Sequence, residues 1–117
     1  MTDKIKRGQE GEELAASFLE EKGYTILERN YRHRKSEIDL IVCKDRWLVF
    51  VEVKTRTSTA FGFPEEFVDY AKKRMIFQGA LHYMTEKDWQ GNVRYDIVAI
   101  HVDRGLPDIH HIEDAFY

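Results

Sequence analysis

The chain has 117 residues, 43% of them hydrophobic and 33% charged, with a formal net charge of −3 and a pI near 5.9. That length supports one hydrophobic core rather than two, so residues 1–117 are expected to form a single domain, and the composition excludes collagen, disordered and disulfide-rich scaffolds. A net acidic balance gives no general attraction to nucleic acid, so such a partner has to be read from how the charges are distributed.

The opening "MTDKIKRGQE" carries no apolar stretch of the secretory kind. The longest apolar run, "WLVFV", stops at Glu52, far below the roughly 18 residues of a membrane span. The expectation is a cytoplasmic protein with no membrane partner. Cys43 is the only cysteine, which excludes an internal disulfide and a thiolate zinc site; a buried structural thiol is expected.

In chain order, "GEELAASFLEEKGY" places Leu14, Ala15, Phe18 and Leu19 on one stripe and ends in Gly23, predicting a helix over about residues 9–22. A strand near Thr25 to Arg34 follows. "EIDLIVC" and "WLVFVEVKT" then predict a hairpin closed between Lys44 and Trp47. "TAFGFPEEF" reads as a loop. "DYAKKRMIFQGALHYMTEK" reads as a second helix, with Asp69 as N-cap and Tyr70, Met75, Gly79, Ala80 and Tyr83 inward. "NVRYDIVAIHV" is a strand, and "IHHIEDAF" can add a short last one. The order is α-β-β-β-α-β.

The hairpin carries Glu37, Asp39, Glu52 and Lys54 inside its apolar pattern. A two-residue turn at Asp45 and Arg46 sets Asp39 opposite Glu52 and Glu37 opposite Lys54. Strand alternation then puts Glu37, Asp39, Ile41, Phe50, Glu52 and Lys54 on one face, and Ile38, Leu40, Val42, Val49, Val51 and Val53 on the other. Two carboxylates facing each other across a ladder repel, unless a cation or a shared proton offsets the charge. Oxygen donors without Cys or His at metal spacing suit Mg²⁺ or Mn²⁺, whose other positions go to water and substrate phosphate. Lys54, two residues after Glu52, would bring an ammonium beside that ion. The Asp-x12-Glu-x-Lys spacing is thus a constellation for phosphodiester hydrolysis.

These residues, "EIDLI" followed by "FVEVKT", resemble the D-(x)n-(D/E)-x-K core of the PD-(D/E)xK nuclease superfamily. Together with "GQEGEELAASFLEEKGY", "ERNYR", "FG", "RYDIVAI" and the closing "AF", they are similar to the YraN-type uncharacterised bacterial proteins, which resemble archaeal Holliday-junction resolvases. The resemblance implies an α/β, restriction-endonuclease-like fold with a mixed central sheet flanked by helices. It implies Mg²⁺ (or Mn²⁺) held by Asp39 and Glu52, Lys54 as catalytic lysine, and Glu12 as an additional acidic residue. The chain departs from the pattern at Ser36, where a glycine usually stands, and at Ile38, in place of the nominal proline.

Simpler roles exist for the same residues. Glu37 with Lys54 can be an ordinary cross-strand ion pair, and Glu12 suits the first turns of a helix through the macrodipole. The five histidines show no convergent spacing and are expected in loops or at the surface. Asp96 interrupts an apolar strand much as Asp39 does, and Trp47 and Phe50 are expected in the core. Basic residues gather at Arg29, Arg32, Arg34 and Lys35, and again at Arg56, Lys72 and Lys73, while acids gather elsewhere. That division fits phosphate contacts near the site. The partner expected is nucleic acid, DNA ahead of RNA, with a homodimer as one assembly open to it. A nucleic-acid-binding module that does not cleave, or an interaction protein whose hairpin merely carries ion pairs, are the other readings.

Overall fold

The computed structural model describes residues 3–56 and 68–117. Its elements are α1 (Asp3–Glu21), β1 (Thr25–His33), β2 (Ser36–Lys44), β3 (Trp47–Arg56), α2 (Tyr70–Lys87), β4 (Asn92–Asp103) and β5 (Leu106–Ile112). The expected α-β-β-β-α-β order holds, with β5 as the additional last strand. The loop read at "TAFGFPEEF" lies outside the described residues.

The strands form one mixed sheet in the order β1-β2-β3-β4-β5. β1, β2 and β3 are antiparallel neighbours, β3 and β4 are parallel, and β5 returns antiparallel to β4. A parallel pair cannot be joined by a tight turn, so the crossover from β3 to β4 carries α2. The antiparallel pairs close through two-residue turns, Lys44 pairing with Trp47 as expected. In the β4–β5 turn both Arg104 and Gly105 take positive φ, the signature of the primed turn that matches strand twist.

One helix covers each face. Ala15, Ala16 and Leu19 of α1 pack on Leu40, Val42, Val49, Val51, Val98 and Ile100. Ile76, Ala80 and Tyr83 of α2 pack on Ile38, Ile41, Leu48, Phe50 and Ile97. The α1 stripe is shifted from expectation: Ala16 is buried and Leu14 lies at the exposed edge. The helix stops at Gly23 (φ +98°), whose N–H bonds Glu20 O while the N–H of Tyr24 bonds Leu19 O, both at 3.0 Å, a Schellman ending.

The second helix corrects two inward assignments. Tyr70 is 75% exposed and Met75 is only half-buried; Ile76 takes the core position instead. The buried stripe is Ile76, Gly79, Ala80 and Tyr83. Stepped back by one turn, it passes through Lys72, which therefore starts on the sheet side of the helix. Asp69 caps the helix as expected, accepting the N–H of Lys72 at 2.8 Å.

Asp96 is 0% exposed and belongs to a staple at the turn end of the sheet. Arg94 bonds both its oxygens at 2.8 Å, Nε2 of His111 meets Oδ2 at 2.6 Å, and the N–H of Asp114 donates at 3.0 Å. Nδ1 of His111 faces the ammonium of Lys22 at 2.7 Å; an ammonium only donates, so Nε2 carries the proton given to Asp96. His111 is thus a buried structural histidine rather than a surface one, and Trp47 lies half-exposed beneath Arg94 rather than in the core. Burial alone would raise the Asp96 pKa; the bonds from His111, Arg94 and Asp114 hold it below the ordinary value.

Gly11 is where α1 touches β3, and a methyl group there would overlap Thr55 Oγ1. Gly11→Ala should lower stability by about 1–3 kcal/mol in urea unfolding, the overlap outweighing the better helix propensity. Adding Thr55→Ala should recover most of that loss; no recovery would place the cost elsewhere.

Candidate active site at the strand fork

The β2–β3 ladder runs from Lys44↔Trp47 to Leu40↔Val51. Beyond that pair β2 stays with β1 as far as His33↔Ser36, whereas β3 stays with β4 as far as Arg56↔His101. The two strands therefore fork, and Asp39 and Glu52 are the first residues past the last pair. Asp39 and Glu52 meet at the fork rather than as partners within the ladder, which is where the expected register stops. Asp39 Oδ2 accepts the N–H of Val53 at 2.8 Å, so the carboxylate stands in for a ladder carbonyl. Strict alternation also breaks here. Ile38 packs with Ile41 on the α2 face, not with Leu40 on the α1 face, because this part of β2 no longer follows the β3 pleat.

Glu52 is 4% exposed. Its Oε1 lies 3.4 Å from Lys54 Nζ and 3.6 Å from Lys72 Nζ, the second delivered by the first turn of α2. Its Oε2 is buried with no hydrogen-bond partner among the described residues. The expected Glu37–Lys54 pair is absent: Glu37 pairs with Arg32, its cross-strand neighbour on β1, at 3.4 Å. Lys54 turns inward because the deeper carboxylate of Glu52 offers the stronger field.

Asp39 is pushed up to about 7, first by burial and then by the charge of Glu52, with Glu12 adding to the rise and the Val53 N–H and Lys72 opposing it. Glu12, half-buried on α1, is also raised: burial leads, a hydrogen bond from Asn30 opposes, and Glu37 and Glu52 add repulsion. Three acids thus share one field. Asn30 went unnoticed in the sequence; it holds a φ of +50° inside β1, a conformation Asn tolerates better than most residues. A cavity of about 370 Å³ beside the fork is lined by Gln9, Glu12, Glu13, Arg29, Asn30 and Leu40.

The basic residues divide. Lys72 joins the carboxylates and Arg29 lines the adjoining cavity. Arg56 lies at the end of β3, its guanidinium donating to Thr55 O at 3.1 Å, and Lys73 is half-buried on α2. Arg32, Arg34 and Lys35 lie exposed at the β1–β2 turn, away from the fork. Cys43, expected buried, is half-buried.

The donor set fits a hard divalent cation. Asp39 and Glu52 are oxygen ligands, and the unpartnered Glu52 Oε2 is a buried acceptor that a cation would satisfy. No group of three or more Asp, Glu, His or Cys side chains among the described residues is arranged to hold a metal. No helix among these residues is long and apolar enough to cross a membrane.

A mixed α/β domain, with a carboxylate pair and two lysines gathered where neighbouring strands part, is the class that fold and site define. Within it, residues 11–100 match the uncharacterised protein family UPF0102, and the chain belongs to that family. It is 44% identical over 110 residues to a UPF0102 protein of Flavobacterium psychrophilum, covering 94% of this chain and 92% of that one. It is 44% identical over 119 residues to one of Rhodococcus opacus, covering 99% and 100%. A third, of Geotalea daltonii, is 46% identical over 111 residues, covering 93% and 87%.

The raised Asp39 makes a signed prediction. Between its unfolded value near 3.8 and about 7, the folded state keeps a proton that the unfolded chain has lost, so this group removes stability as pH rises through that window. Asp39→Asn keeps an acceptor for Val53 without the charge. In metal-free buffer its melting temperature should exceed the wild type at pH 8 and converge toward it near pH 4; a constant difference across that range would show that Asp39 is not the group responsible.

Proposed function

We propose that the protein is a metal-dependent nuclease of the PD-(D/E)xK, restriction-endonuclease-like kind, acting on nucleic acid, with DNA ahead of RNA. One observation carries this reading: a repelling carboxylate pair at the fork, of which Glu52 is buried with an Oε2 that has no partner among the described residues, flanked by two ammonium groups. Such a cluster opposes folding unless it serves a charged ligand.

Asp39 and Glu52 would hold Mg²⁺ or Mn²⁺. When bound, the ion polarises a phosphate oxygen and makes a coordinated water more acidic. Asp39 is held in place by the Val53 N–H, so one ligand is oriented by the backbone of the strand that supplies the other. Lys54, anchored on Glu52, can donate to the attacking water or to a nonbridging oxygen as charge develops. Lys72 adds a second cation from a different element, and Glu12 with Asn30 closes the α1 side of the site. Arg29 and the exposed β1–β2 turn supply cations for flanking phosphates.

The test is a panel of branched, nicked, single- and double-stranded substrates with Mg²⁺ or Mn²⁺ against chelator. Cleavage should require the metal, and Lys54→Ala should lower the rate by about 10²–10³ while the protein still folds. Mn²⁺ should raise the melting temperature of the wild type and not of Asp39→Asn. Binding without cleavage under every metal would replace this reading with a non-catalytic nucleic-acid-binding module.

A further inference from the structure

A second feature lies past the fork, where β1 turns into β2. The rings of His33, the last residue of β1, and His82, on α2, stack with centroids 3.5 Å apart and planes 9° from parallel. They border an open cavity of about 450 Å³ that is also lined by Arg34, Ser36, Gln78, Leu81 and Thr85. Six of these seven side chains can donate a hydrogen bond, Leu81 being the apolar exception, and no carboxylate lines the cavity. The nearest acid, Glu86, is engaged with His82 Nε2 at 3.0 Å.

We propose that this cavity is a second phosphate site, in which Arg34 and the His33–His82 pair hold the backbone of a nucleic acid whose next few nucleotides reach the fork. The inference rests on the nuclease reading for its direction but not for its chemistry. Ser36 stands three residues before Asp39 on the same strand, about 10 Å away at the usual rise. Along α2, Lys72 at the fork and His82 at the cavity are separated by about 15 Å at helical rise. At about 3.4 Å of axis per nucleotide of a duplex strand, these spans correspond to three or four nucleotides. One helix and one strand therefore connect both places.

The stacked pair supplies a reason for its own charge state. His33 is held below its ordinary pKa by burial first, then by the neighbouring His82 and Arg34, with Glu86 opposing. Two protonated rings in face contact repel, and a phosphate between them and Arg34 would relieve that repulsion. Binding should accordingly take up protons. Arg34 itself sits at φ +55°, where Gly is the unstrained choice, so Arg34→Gly removes the guanidinium without disturbing the turn. His82→Phe keeps a ring on His33 and removes the ring nitrogens.

The experiment uses the full chain in chelator, so that no cleavage occurs. A short fluorescein-labelled oligonucleotide is titrated at pH 6 and pH 8 by anisotropy, and the imidazole resonances are followed by NMR with the same oligonucleotide and with inorganic phosphate. Oligonucleotide should move the His33 and His82 resonances and raise the His33 midpoint. Each variant should weaken binding about tenfold at pH 6, with a smaller loss for His82→Phe at pH 8, and Arg34→Gly should flatten the salt slope by about 0.9 on duplex. Unmoved resonances at saturation, or unchanged affinity and slope in both variants, would overturn the site and leave the stack as packing. Resonances that answer to inorganic phosphate but not to oligonucleotide would make it a free-anion pocket, which also overturns it. Oligonucleotide held here but never cut with Mg²⁺ or Mn²⁺ would sink the nuclease reading while keeping this site.

Discussion

Two carboxylates share one poorly solvated corner where β2 and β3 part, and much of the molecule is arranged around that repulsion. The fork exists because Asp39 takes the Val53 N–H that a ladder carbonyl would otherwise hold. Lys54 and Lys72 converge on one oxygen of Glu52 and leave the other without a partner among the described residues. α1 lies close enough on β3 to bring Glu12 into the same field, which is why position 11 has no room for a side chain.

The contrast with Asp96 shows that the acids set into this sheet are not treated alike. Asp96 receives two bonds from Arg94, one from His111 and one from a backbone N–H, and its pKa falls. Asp39 receives one bond and rises to about 7. The first acid is neutralised by the protein itself and ties β4 to β5 and to Lys22 beyond α1. The second is left with unmet charge. Structural carboxylates are ordinarily finished inside the fold, and it is this unfinished pair that supports the proposed metal site.

Element order, the hairpin turn and the Asp39–Glu52 proximity were legible because each rests on a local rule: apolar period, turn length, alternation. What alternation could not show was its own failure at Ile38, since the change of face follows from β2 exchanging one partner for none at the fork. In the sequence Lys72 is one of a basic cluster that suits phosphate contacts, and a stripe through Tyr70 and Met75 gives no sign that it faces the sheet. The true stripe through Ile76 turns the helix and points the lysine at Glu52. Asn30 and the His33–His82 stack leave no periodic signal. Both depend on residues brought together from separate elements, which spacing along one strand cannot reveal.

The parallel pairing of β3 with β4 also sets an order of assembly. The three antiparallel turns are local, and hairpins of this kind close in about 1–10 μs. Trp47 meets Asn92 only after the whole crossover has been gathered, a closure with a far larger entropy cost. The acids of β2 and β3 are therefore brought near each other early, while Lys72, riding on the crossover helix, arrives with the last and slowest contact.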